Sequence, residues 1–126
     1  MRDLYSNIAT FSALVPAVQT AAGQGAAIDT LGAGRLAIVV NTGAVAGSGD
    51  FGVKLQESDT GTNGWTDVAA GHVDSNAPAT LAADSTYRLG YRGWKRYVRL
   101  SLTKAGGTSI AAGAVAVTSP LSKPAA

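Results

Sequence analysis

The chain contains no cysteine and only one histidine, and charged residues make up 14% of its 126 positions. Without cysteine there is no disulfide framework, no thiol nucleophile and no thiolate ligand. The single imidazole, His72, sits in a loop-like Gly71-His72-Val73-Asp74 stretch, where a solvated side chain is the expectation. So few nitrogen and sulfur ligands leave almost nothing from which to build a transition-metal site. Asp59-Thr60-Gly61-Thr62-Asn63-Gly64 has the oxygen-rich look of a calcium loop. It lacks the terminal bidentate acid, so it reads as a hairpin turn. Gly43–Gly49 is glycine-rich, but no lysine and no helix follow it, so it is not a phosphate loop. No catalytic, metal-binding or cofactor-binding residue is assigned, and a non-enzymatic protein is expected.

Long apolar runs are missing too. None approaches the roughly 18 residues of a membrane helix. Leu4–Val18 is interrupted by Tyr5, Ser6, Asn7 and Pro16, so no signal peptide and no membrane partner are expected. The charged fraction lies below the roughly 25% usual for soluble domains, which points to a surface covered by neighbours.

The charge that is present is unevenly placed. Residues 1–84 carry three basic and eight acidic side chains, and residues 85–126 carry seven basic and none acidic. A basic segment can serve nucleic acid, but no nucleic-acid signature accompanies this one. Pairing with the chain's own acidic part or with an acidic protein is the expectation.

The hydrophobic pattern is that of short strands. Phe11–Gln19 has strand character, and Pro16 assigns it to an edge or a bend. Ala26–Thr30 reads as a short strand and Arg35–Asn41 as the main core strand, with a glycine-rich turn over Thr42–Gly49. Asp50–Ser58 alternates and pairs through the Asp59–Gly64 turn with Trp65–Ala69. Ala70–Ala83 is irregular, and strands follow at Thr86–Tyr91, Trp94–Thr103 and Thr108–Thr118. No amphipathic helix is evident. The expectation is a single all-β domain over 1–126: an antiparallel β-sandwich or jelly-roll-like barrel. It carries a short N-terminal arm (1–10) and an extended C-terminal tail (119–126). The predicted core is Leu36, Ile38, Val40, Val53, Leu55, Val98, Leu100, Val115 and Val117, with Trp65 and Trp94 as its largest fillers.

Tyr87–Thr103 holds three of the four tyrosines and one of the two tryptophans. Trp94, Val98, Leu100 and Leu102 take one parity; Lys95, Tyr97, Arg99, Ser101 and Thr103 take the other. Arg96 breaks the apolar row, which predicts an edge position or an acidic contact. Arg92, Lys95, Tyr97 and Arg99 are candidate interface residues, because arginine and aromatic side chains anchor interfaces. Tyr5, Ile8 and Phe11, within the segment Arg2–Val15, are candidates as apolar anchors on an arm too short to bury them.

The opening RDLYSNI, the central VKLQESDTGTNGWTDV and the run YRLGYRGWKRYVRLSLT resemble small structural proteins of tailed bacteriophages, over roughly residues 2–118. The resemblance implies a head decoration, or cement, protein made in the host bacterial cytoplasm. Such a protein sits on the outer capsid surface, bridges major capsid protein subunits and forms a homotrimer. A head–tail joining or tail protein is the alternative within the virion. A carbohydrate-binding β-sandwich module is the alternative outside it.

Overall fold

The computed structural model describes residues 4–120. Ten strands make two antiparallel sheets packed face to face. They are β1 (Ala9–Gln19), β2 (Gly23–Gln24), β3 (Ile28–Asp29), β4 (Ala33–Ala46), β5 (Asp50–Ser58), β6 (Thr66–Asp67), β7 (Val73–Ser75), β8 (Thr86–Tyr91), β9 (Tyr97–Gly106) and β10 (Ser109–Pro120). One sheet, A, has the order β1-β10-β4-β8-β7. The other, B, has the order β2-β9-β5-β6, with β3 continuing beside β9 where β2 leaves off. The expected β-sandwich is therefore the observed architecture.

The sandwich is closed by the inner rows of each strand. Ile38 and Val40 of β4 and Leu89 of β8 meet Leu55 of β5 and Val98 and Leu100 of β9. A second cluster gathers Phe51, Leu81, Leu102, Ile110 and Ala112. Six of the nine predicted core residues, Leu36, Ile38, Val40, Leu55, Val98 and Leu100, are buried, and Val53 is partly buried.

Val115 is a correction, and Val117 is only half-buried. Val115 is 44% exposed, and the buried row of β10 is Ala112, Ala114 and Ala116. These alanines lie beside Thr42, Val40 and Ile38 of β4. Small residues there make room for the large side chains of the neighbouring strand, and the valines turn outward.

The two tryptophans are also not the core fillers expected. Trp94 is 77% exposed. The strand expected from Trp94 begins only at Tyr97, because Arg92–Arg96 crosses from sheet A to sheet B and the two-residue period does not apply there. Trp65 is half-buried, outside both core clusters.

Strand β4 runs well past Asn41, and the glycine-rich segment contracts to a tight turn at Gly47-Ser48. Both residues have positive φ, 60° and 55°. Such a turn reverses the chain in two residues and passes it from sheet A to sheet B. β1 is the edge strand that Pro16 required, with register irregularities on both sides of Leu14. At this break the Ala13 carbonyl accepts the Ala26 N–H at 3.0 Å, and Gly25 N–H donates to Leu100 O at 2.7 Å. The edge of sheet A is thereby tied to sheet B.

Of the expected arm, residues 1–3 lie outside the described residues, Tyr5–Asn7 form one 3-10 turn, and Ala9 already belongs to β1. Of the expected tail, Ser119 and Pro120 extend β10 opposite Arg35 and Ala33, and residues 121–126 lie outside the described residues.

Candidate contact surfaces

The Asp59–Gly64 turn joins β5 to β6 as a hairpin, with Glu57 opposite Thr66 and Gln56 opposite Asp67. Ser58, at the base, holds the loop. Its buried hydroxyl donates to Asn63 O and accepts the Thr60 and Gly61 N–H groups at 3.2 and 3.1 Å. Serine and threonine hydroxyls stabilise turns in this way. Gly61, at φ 77°, lies against the Tyr97 ring, where a Cβ would approach Cγ to 2.9 Å.

This hairpin, β7 and β3 each supply one acidic partner of the basic segment. Lys95 Nζ meets Asp59 at 2.8 Å, and Arg92 meets Asp74 at 3.0 Å. Arg96 forms a two-pronged pair with Asp29, at 3.0 Å through Nε and 2.9 Å through Nη2. The expected acidic contact of Arg96 is thus found. The Arg96 hydrogen bond, and then the Leu31 N–H, hold the Asp29 carboxyl below the usual aspartate value. The Asp59 hydrogen bond raises Lys95. These are exposed pairs, which as a class stabilise weakly. Their consequence is that much of the basic segment's charge is spent on the chain's own acidic part.

Arg99 has no carboxylate partner among the described residues. Its Nε donates to Gln56 at 2.9 Å and its guanidinium lies 4.3 Å from the Trp65 ring centroid. Arg96 likewise lies 5.1 Å from the Tyr97 centroid. The basic-aromatic face expected from alternation exists on sheet B around Tyr97 and Arg99, as cations stacked on rings.

Between the sheets, Tyr91 of β8 is half-buried and reaches Glu57 of β5. Burial, and then the Glu57 hydrogen bond, push the phenol up to about 12. The same oxygen accepts the Lys95 N–H at 3.0 Å, and Gly93 is pressed onto the ring with no room for a Cβ. The crossover also carries Trp94, whose ring meets His72 edge-on at 4.8 Å. Beside it lies a polar cleft of about 230 Å3 bounded by Thr30, Arg35 and Trp94.

The N-terminal anchors are apolar and outward. Tyr5 is 86% exposed, Phe11 is 49% exposed and Ile8 is half-buried. Leu4, not singled out in the sequence, is exposed with them. The outer face of sheet A continues this surface. Val115 stands between Ser12 of β1 and Val39 of β4, and Val117 between Thr10 and Ala37. A cleft of about 440 Å3 opens there, lined by Phe11, Pro16, Val39 and Val115. The signal for this face was present in the sequence, since β1 and β10 contain no charged residue and β4 only Arg35.

Among the described residues, no group of three or more His, Asp or Glu side chains converges to hold a metal ion. No helix there is long and apolar enough to cross a membrane. No protein-family model matches the sequence, and comparison with curated proteins finds no match.

Proposed function

We propose that this chain is a non-enzymatic phage virion protein that decorates the capsid, binding the outer shell and bridging major capsid protein subunits. The observation that carries this reading is the run of exposed apolar side chains at the N-terminus. Leu4, Tyr5 and Phe11 project at the start of an edge strand whose free side can accept another chain. The basic face adds Arg99, the one cation among Arg92, Lys95, Arg96 and Arg99 without an internal acid. Adding the protein to capsids stripped of it tests the reading. Stoichiometric attachment seen by cryo-EM is the expected result. Failure to bind any shell, head or tail component sinks it.

One observation favours a second reading, a carbohydrate-binding module. Trp94 is exposed beside a polar cleft containing Arg35, and an indole face with nearby donors suits a sugar ring. Glycan-array binding that Trp94→Ala abolishes, without capsid binding, would select it.

A further inference from the structure

The apolar outer face of sheet A is larger than the N-terminal segment requires. From its register and its lack of charge, we infer that a second copy of this chain covers it, the two sheets stacking face to face about a two-fold axis. The inference stands whether or not the virion reading holds.

Charge is the first argument. Every ionisable side chain of β1, β10 and β4 taken together is one, Arg35, at the start of β4. On the same sheet charge reappears at Arg88 of β8, opposite Val39, and at Asp74 of β7. The face on the β1 side is therefore neutral, and charge begins on the β8 side. Nucleic acid or an acidic protein would need cations on the neutral part. A neutral face meets its own copy without repulsion, and an isologous contact demands that self-compatibility.

Shape is the second. Pro16 stands directly over Gly113, where an added Cβ would come within 2.8 Å of the proline ring. Glycine at that position lets the edge strand lay a ridge on the face. Beside the ridge lies the cleft bounded by Phe11, Val39 and Val115. A ridge and an adjacent groove on one surface allow each copy to fill the other's groove.

Size is the third. β1, β10 and β4 span 11, 12 and 14 residues. At a rise of about 3.3 Å per residue and a strand spacing of about 4.8 Å, their common face measures roughly 500 Å2 per copy. A pair covers roughly 1,000 Å2, at the threshold of a specific interface and in the range of weak, reversible ones. Association should accordingly be concentration-dependent. A two-fold face closes a pair, which differs from the trimer that the phage resemblance implies.

Sedimentation equilibrium from about 10 μM to about 1 mM reads this directly. The expected result is a mass rising from one chain toward two. Val115→Lys, at the middle of the face, should weaken association at least about tenfold. Thr62→Lys, which adds the same charge at the tip of the β5–β6 loop, should leave it unchanged. Ser12→Lys, on the same row as Val115 and already exposed, is the second variant should Val115→Lys fail to fold; circular dichroism decides that. High salt should not dissociate the pair, because it is not held by charge. A monomer throughout the range, a trimer, or a folded face variant that still pairs normally would each overturn the inference. A wild-type monomer whose Val115→Lys variant loses capsid binding would overturn it too, assigning the face to the shell and leaving the virion reading standing.

Discussion

The Tyr91 hydroxyl of sheet A donates to the Glu57 carboxylate of sheet B at 2.7 Å, joining the two layers at the end where the chain crosses between them. The link is polar, and it lies beside the candidate contact residues Lys95 and Arg92.

Tyr91→Phe should keep the ring and lose the link. A carboxylate left without its donor, and the Lys95 N–H without its acceptor, should lower stability by about 1–2 kcal/mol in urea unfolding. The pH profile gives an independent sign. In the folded state burial and the Glu57 hydrogen bond push the phenol up to about 12, above the ordinary tyrosine value of 10.0. The folded state then holds the proton longer than the unfolded chain. The stability from this group is fully present below pH 10 and is lost as pH rises toward 12. Phenylalanine should remove that part of the alkaline slope, and an unchanged slope would refute the assignment.

Gly93→Ala tests the same corner from the backbone side. A Cβ at Gly93 would collide with the Tyr91 hydroxyl and ring. Either the phenol moves off Glu57 or the crossover shifts. The expected cost is about 1–3 kcal/mol, as for other overpacked sites. Combined with Tyr91→Phe the two losses should be less than additive, because both break one contact.

The parity of β9 and β10 can be read by a pair of truncations. Leu100 is 1% exposed, so Leu100→Ala should cost about 2–5 kcal/mol. Val115→Ala, on the outer face, should cost well under 1 kcal/mol at dilute concentration. Equal losses would contradict the assignment of Val115 to the surface.

Arg96→Ala should move the Asp29 carboxyl titration, followed by carbon NMR, up toward the ordinary aspartate value. The Arg96 pair holds folded Asp29 below the ordinary aspartate value of 3.8, so its contribution to stability is present above pH 3.8 and lost as pH falls through the depressed value. Indifference of the Asp29 shift to Arg96 would remove the pair as its cause.

Deleting residues 2–8 separates the N-terminal anchors from the strand, since β1 begins at Ala9. The shortened protein should stay folded, with a melting temperature close to that of the full chain. It should lose capsid attachment if Leu4 and Tyr5 bind the shell. A large fall in melting temperature would place these residues in the fold rather than at a contact, and retained attachment would deny them the role.

Alternation and turn chemistry were enough to determine the all-β class, the hairpin at Asp59–Gly64 and the buried rows of β4, β5 and β9, and they narrowed the architecture to a sandwich or a barrel and the Pro16 strand to an edge or a bend. Each of these is a local consequence of strand period or of a residue's backbone preference. The acidic partner of Arg96 was legible as a requirement, but its identity as Asp29 was not, because the partner lies 67 positions away and is supplied by strand pairing. The inner row of β10 was decided by packing alone. Both parities of Ala111–Thr118 are apolar, and only beside Ile38 and Val40 does alanine fit inside and valine outside. Trp94 faces solvent for a similar reason. Its residue type favours a core, but its position on the crossing between sheets removes it from either inner face, and a side chain's burial is set by where its backbone lies in three dimensions.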